Sequence, residues 1–288
     1  MFQSLRCGKF ILSLQRPLIM GVVNITPDSF SDGGHFATTE TAFARAQQLI
    51  EEGADIIDIG GESTRPGAGG VTLGEERLRV LPLLEQLASG PVPVSVDTQK
   101  PELMREAIAA GAAMINDINA LQSLDALETI ARSDVAVCLM HKQGTPADMQ
   151  RDPHYDDVVA EVLAFLAGRV QAARSAGIAP ERIVIDPGFG FGKTLEHNLE
   201  LLRELGRFSD AGAILLAGIS RKGMLGHITG REVNERVFAS VAAAVIAVEK
   251  GARIVRVHDV AATRDALAVW TAVKLDEPPR RQGRQEKN

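Results

Sequence analysis

Three groups of residues have types and spacings that could do chemistry. The first is DPGFGFGKT, residues 186–194, whose glycines lead into a Gly-Lys-Thr triplet. That triplet looks like the end of a phosphate-cradling P-loop, which keeps four residues between its first glycine and the Gly-Lys pair. Counting back from Gly192 and Lys193 puts that glycine at 187, where the chain has Pro187. Proline has no N–H to offer a phosphate and its φ is fixed, so the cradle does not form. The second group is Arg256-x-His258. Two residues apart on a strand share a face, so this pair would clamp an anion if it faced a mouth. The third is a scattered set of carboxylates and amides, Asn24, Asp58, Asp97, Asn116 and Asp186, each at or near the end of a short apolar run. His141 and Ser220-Arg221-Lys222 end two further runs, so acceptors stand mid-chain and cations late.

Such residues need elements to aim them. Short β-branched runs alternate with helical patterns along the whole chain: PLIMGVVN (17–24), ADIIDIG (54–60), VPVSVDT (92–98), AMINDI (113–118), VAVCLMH (135–141), RIVIDPG (182–188), AILLAGIS (213–220) and ARIVRVHD (252–259). Several helical patterns close on a glycine, at Gly53, Gly111, Gly177 and Gly251, and one opens on Pro101. Eight strand–helix units over about 260 residues are the count and size of a (β/α)8 TIM barrel, whose chemistry sits at the C-terminal ends of its strands. An open doubly wound sheet is the alternative architecture. No linker or composition break divides the chain, so 1–276 reads as one barrel domain. Residues 5–15, LRCGKFILSLQ, read as a short strand or hairpin closing the barrel floor. The polar, Pro-broken tail 277–288 is expected to be disordered. Two βα loops, 24–36 and 60–70, are long and rich in Gly, Ser, Thr and Asp, the composition of mobile lids and equally of plain turns.

Composition narrows the function class. Of the 288 residues 45% are hydrophobic but only 4% aromatic, which suits buried parallel strands better than a base-stacking platform. A net charge of −6 argues against general nucleic-acid binding. Cys7 and Cys138 have no metal spacing, and a reducing compartment is the default. Arg6, Lys9 and Arg16 interrupt the N-terminal apolar residues, and the longest apolar run, 237–248, is too short for a bilayer. The expectation is a cytoplasmic protein acting on small molecules, with no nucleic acid or membrane as partner.

MGVVNITPDSFSDGG, DIGGESTRPGA, VSVDT, INDI, CLMHKQGTP, DPGFGFGKT, GISRKGMLG and RVHDV occur in order between about residues 18 and 270. Together they resemble the dihydropteroate synthase family of folate biosynthesis, whose barrel fold agrees with the strand count. The resemblance implies that 6-hydroxymethyl-7,8-dihydropterin pyrophosphate condenses with 4-aminobenzoate, giving 7,8-dihydropteroate and pyrophosphate, with Mg²⁺ assisting. On the family pattern Asp186, Asp97 and Asn116 accept hydrogen bonds from the pterin edge. Lys222 stands between pterin and aminobenzoate, and Arg256 stacks on the pterin face. Asn24 would be the metal-side ligand, with Thr64, Arg65, Arg256 and His258 on the pyrophosphate. Arg65, Pro66, Phe191, Met140, Lys222 and Gly223 would surround the aminobenzoate. Lys222, Arg256 and Asp97 would carry the chemistry, by charge stabilisation rather than by a general base, along the dissociative path the family implies.

Each of these residues also has a plainer reading. Phe191 and Met140 are apolar enough to be core, Arg221-Lys222 could be a solvated helix start, and Cys138 is most simply packing. His141 reads as a supporting partner or a satisfied barrel histidine. Gly223 stands where many family members carry serine after the lysine, so the acid-binding end of the site differs, with consequences for sulfonamides that mimic aminobenzoate. The segment VFASVAAAVIAV, 237–248, is apolar nearly all round, which implies a homodimer. Two other functions fit the fold: a pterin-dependent methyl-transfer barrel, which needs no pyrophosphate clamp, and a non-catalytic pterin-binding paralogue, which should show damage in the loops or cations.

Overall fold

The structure of the chain, a computed structural model, describes residues 2–25, 35–62, 70–145 and 148–274. It opens on an antiparallel hairpin, β1 (Ser4–Cys7) and β2 (Phe10–Ser13), turned at Gly8. The apolar runs then form β3 (Leu18–Asn24), β4 (Ile56–Gly60), β5 (Val94–Asp97), β6 (Met114–Asp117), β7 (Ala136–Met140), β8 (Ile183–Asp186), β9 (Ile214–Ala217) and β10 (Ile254–Val257). All pair in parallel with their sequence neighbours, and β10 pairs with β3 to close the barrel. The expected (β/α)8 architecture is therefore present, and the open-sheet alternative is excluded by that closing ladder. The strands are shorter than the runs that announced them. His141, Gly188, Ser220 and His258 have already left the ladder, and they start the βα loops.

The helices lie between strands: α1 (His35–Glu52), α2 (Leu73–Leu87), α3 (Pro101–Ala109), α4 (Ala126–Ala131), α5 (Val158–Ser175), α6 (Leu195–Arg203), α7 (Gly223–Thr229), α8 (Val237–Glu249) and, after the last strand, α9 (Val260–Lys274). Their starts follow the local chemistry. Thr72 and Glu75 form a reciprocal cap on α2, Asp157 caps α5, and Thr194 caps α6 by accepting from His197 N at 3.2 Å. The threonine of the Gly-Lys-Thr triplet is thus a helix cap. Among the described residues no helix is long and apolar enough to cross a membrane.

Side chains alternate along each strand, so two cores form. Residues such as Ile57, Ile59, Val96, Ile115, Leu139 and Ile185 face the helices. The other set, including Leu18, Met20, Ile56, Met114, Cys138, Val184, Leu216 and Ile254, fills the barrel together with Leu5, Cys7 and Leu14. The hairpin therefore does close the floor, and Cys138 is a packing residue of the barrel interior. Arg182, just ahead of β8, is buried and donates to the carbonyls of Val135 and Ile130, tying the bottom of β8 to the α4–β7 connection.

Candidate active site

Above its apolar floor the barrel interior turns polar. The strand register aligns Asn24 with Gly60, Gly60 with Asp97, Asp97 with Asn116, and Met140 with Asp186. These are interior-facing positions one step from the C-terminal rim. Gly60 leaves room in that row, since a Cβ there would stand 3.5 Å from the Asp97 Cβ and 3.9 Å from Asn24 Oδ1. One layer lower stand Asp58 and Ser95, themselves register partners.

Arg256 joins the two layers. Its Nε donates to Asp58 Oδ2 at 2.6 Å and its Nη2 to Asp97 Oδ2 at 2.9 Å, with the side chain 21% exposed. Asn116 Nδ2 donates to the same Asp58 oxygen at 3.2 Å. Asp58 is fully buried, and its Oδ1 has no hydrogen-bond partner. Burial pushes the Asp97 carboxyl up to about 7; Asp58 adds to the rise and Arg256 opposes it. Burial pulls on Arg256 in the opposite sense, but Asp58 and Asp97 hold its pKa above the ordinary value, so the guanidinium stays charged.

Lys222 and Asp186 form the opposite wall. Asp186 Oδ1 accepts from Gly188 N at 2.8 Å, and burial raises its pKa against the opposing charge of Lys222. The Lys222 ammonium donates to the Phe189 carbonyl and lies 4.7 Å over the Phe191 ring, a cation–π contact. Burial lowers its pKa to about 8, with Asp186 resisting. Lys222 is therefore no solvated helix start. Neither is Arg221, which holds a left-handed φ of 57° and donates to both Asp259 oxygens, at 3.0 and 2.5 Å.

The remaining expected residues fall around this centre. Asn24 and His258 line an open cavity of about 550 Å³ together with Arg45 and Arg221. His258 lies one residue past β10, with its N and Nδ1 at 3.2 and 3.1 Å from Ser220 Oγ, whereas Arg256 reaches into the barrel. The two cations thus stand at different depths. Met140 is buried at the end of β7, and Gly223 opens α7 with open space where a Cβ would point. Thr64, Arg65 and Pro66, like the tail 277–288, lie outside the described residues. Asp58, Ser220 and Lys193 were given no role by motif. The signal for Asp58 was its position as the polar residue inside an apolar strand.

Chemically the mouth offers acceptors on three strands, for a ligand edge rich in N–H donors, and two cations, Lys222 and Arg256, for developing negative charge. Comparison with known proteins agrees in kind. Residues 20–258 match the family model described as pterin binding enzyme. The chain is 51% identical over 276 residues to a dihydropteroate synthase of Neisseria meningitidis serogroup C, covering 94% of this chain and 98% of that one. The fold superposes with a TM-score of 0.90 on a Xanthomonas albilineans dihydropteroate synthase solved with 4-aminobenzoic acid, at 54% identity and covering 96% of this chain and all of that one. A second structure of the Xanthomonas enzyme, in complex with 7,8-dihydropteroate, gives a TM-score of 0.87 at 51% identity, covering 95% and 100%.

Proposed function

The chain belongs to the dihydropteroate synthase family of pterin-binding enzymes, and on that premise we propose how the barrel mouth performs the family's reaction. It is a transferase that joins 6-hydroxymethyl-7,8-dihydropterin pyrophosphate to 4-aminobenzoate, giving 7,8-dihydropteroate and pyrophosphate. The observation that carries the assignment of roles is the rim of acceptors, Asp97, Asn116 and Asp186, facing one mouth with Lys222 and Arg256. The pterin's 2-amino group and ring N–H are donors, which carboxylates accept strongly. Asp186 takes the donor pair with the oxygen that Gly188 leaves open, and Asn116 and Asp97 take the rest of the edge. Lys222 sits over Phe191, where it reaches both the pterin and the aminobenzoate ring that Phe191, Met140 and Pro66 wall.

The arylamine is already a nucleophile at neutral pH. Its nitrogen bonds to the exocyclic carbon, and the C–O bond breaks with its electron pair leaving on pyrophosphate. The surplus proton on nitrogen passes to water. Arg256 and Arg65 neutralise the departing anion while His258 and Thr64 hydrogen-bond it, the electrostatic strategy of preorganised charge. Among the described residues no cluster of three His, Cys, Asp or Glu could hold a metal. A single amide oxygen at Asn24 suits Mg²⁺, which keeps its waters and takes oxygens from a pyrophosphate. Mg²⁺, when bound, supplies further charge neutralisation for the leaving group. The aminobenzoate pocket makes the chain a cytoplasmic sulfonamide target, with Gly223 leaving its carboxylate end open.

With Mg²⁺ present, pyrophosphate release from the pterin substrate should depend on 4-aminobenzoate, stop on chelation, and be inhibited competitively by a sulfonamide. If the pterin binds but aminobenzoate never triggers release, the synthase reading fails.

The same family relationship supports a homodimer. Phe238 and Ile246 on α8 are 84% and 46% exposed, and Val269 and Val273 on α9, which packs beside α8, are 67% and 78% exposed. An exposed apolar surface of this kind marks an interaction site, and a twofold partner covers it most simply. Sedimentation should give twice the chain mass for wild type and the chain mass for Phe238→Asp; a monomeric wild type at micromolar concentration would remove the proposal.

A further inference from the structure

The look-alike Gly-Lys-Thr still leaves one residue without a task, Lys193. Its side chain is 3% exposed, deep under the loop 188–192. The ammonium stands 3.0 Å from each of three acceptors: the carbonyl oxygens of Gly188 and Phe191, and Nδ1 of His141. In its charged form a lysine has three N–H donors, and here all three are used. His141 suits the third position. Burial, and secondarily the charge of Lys193, pull its pKa down to about 3, so the ring is neutral at neutral pH and, with its proton on Nε2, presents Nδ1 as an acceptor to the ammonium.

The surrounding loop shows why such a clamp is needed. Gly188, Gly190 and Gly192 hold φ of 70°, 78° and 61°, so the backbone winds through left-handed conformations with no regular structure to pair its carbonyls. Side chains reach all five, and the Gly188 carbonyl also accepts from Phe191 N at 3.1 Å. Lys193 takes those of Gly188 and Phe191, Lys222 that of Phe189, Gln150 that of Gly190, and the Tyr155 hydroxyl that of Gly192 at 2.9 Å. The loop also lies tight on the chain after β7, because a Cβ on Gly188 would run into the His141 carbonyl and one on Gly192 into that of Gln143. Lys193 is the donor that spans the loop, gripping it near both ends. Between the gripped carbonyls lie the Phe189 oxygen that Lys222 donates to and the Phe191 ring beneath that ammonium. The charged groups facing Lys193 are Asp186, which favours its cation, and Lys222, which opposes it; burial outweighs both and lowers its pKa to about 7.

We propose that Lys193 is a positioning residue: by clamping the carbonyls of Gly188 and Phe191 against His141, it fixes the loop that sets Lys222 and Phe191 for the aminobenzoate ring. The proposal rests on the synthase reading for what Lys222 and Phe191 touch. It bears more on the aminobenzoate than on the pterin, since the pterin's acceptors stand on strands β5, β6 and β8 whereas Phe191, one wall of the aminobenzoate site, stands on the clamped loop.

The test is Lys193→Met, which keeps length and removes a buried charge. Loss of a charged hydrogen-bond donor should raise KM for 4-aminobenzoate by about tenfold or more. The dissociation constant of the pterin substrate should stay within about threefold, less than one hydrogen bond's worth. A merely structural lysine would move both constants or neither, and either result overturns the proposal. Amide hydrogen exchange on the free protein supplies a readout independent of turnover. In wild type the Gly190 and Phe191 amides should be protected, bonded as they are to Asn198 Oδ1 and the Gly188 carbonyl, and in the variant they should exchange faster. Wild-type amides that exchange as freely as an open loop would refute the clamp even if the variant fails to fold. A wild type with protected amides but no aminobenzoate-dependent pyrophosphate release would instead sink the synthase reading and leave the clamp standing.

Discussion

Arg256→Ala lowers kcat/KM for pyrophosphate release by about 10³-fold, the scale found when one preorganised charge-stabilising group is removed. The loss has two sources. One is the missing cation as the C–O bond breaks. The other is what the substitution leaves behind, because Arg256 is the cation hydrogen-bonded to both Asp58 and Asp97, whose side chains are 0% and 11% exposed. Removing one partner of a buried ion pair costs about 3–5 kcal/mol when the other stays charged. Asp97 need not stay charged. Arg256 opposes the rise of its pKa, so without the guanidinium the carboxyl moves further above about 7. A protonated Asp97 cannot accept from the pterin in the same way, and the variant's residual activity shifts to higher pH.

The stability consequence has a definite sign. A carboxyl whose folded pKa is raised binds a proton in the native state that the unfolded chain has already lost. Stability therefore falls as pH rises from the ordinary carboxylate range to the folded value, and in the variant that fall continues beyond about pH 7. Arg256→Lys restores charge without the two-pronged geometry, so it should recover part of the stability and little of the rate. Steady-state rates and thermal midpoints between pH 5 and 9 decide the matter. A variant that turns over within tenfold of wild type, with an unshifted pH profile, would remove Arg256 from the chemistry.

The barrel was legible because its strands are short apolar runs at even spacing, and because each ends in a residue an apolar run does not need. Alternation then places Asn24, Asp58, Asp97, Asn116, Asp186 and Arg256 on the inner face without any knowledge of contacts. Side-chain pairing was not legible. From local pattern alone Arg221-Lys222 is as easily a solvated pair, and only the resemblance gives Lys222 a task; in the fold Arg221 is pinned to Asp259 and Lys222 reaches Phe189 and Phe191. Lys193 sits in a glycine-rich polar stretch that says surface, yet it is buried, and His141, 52 residues earlier, meets it from the loop after β7. Lys100 likewise bridges Glu62 and the buried Glu76 at 2.6 and 2.5 Å, a three-charge cluster assembled from the loop after β4, α2 and the approach to α3. Local pattern reports which face a residue takes. It carries no information on which distant partner makes burying a charge tolerable, and that partner decides whether a polar residue is solvated, structural or part of a site.

Asp186→Asn separates the pterin site from fold stability. Asp186 is 4% exposed, with Oδ1 committed to Gly188 N and Oδ2 beside Gly218, where a Cβ would stand 3.5 Å away. Asparagine keeps one acceptor, which Gly188 can retain. Its other terminus is an NH₂, which meets the pterin donors as donor against donor. Removing the charge from a buried hydrogen-bonded pair costs about 2–5 kcal/mol of binding, so pterin affinity should fall by about 10²-fold or more. Lys222 is affected too. Asp186 supports its cation, so in the variant the Lys222 pKa drops further below about 8 and the alkaline limb of activity moves to lower pH. The fold should not suffer in proportion. Because the Asp186 carboxyl is raised by burial, its ionised form is disfavoured in the native state, and a neutral amide relieves that cost. Calorimetric titration with the pterin substrate, a pH–rate profile and a thermal midpoint at pH 7.5 test all three consequences. Unchanged pterin affinity would show that the edge is recognised elsewhere, whereas a collapsed thermal midpoint would show that Asp186 serves the barrel rather than the ligand.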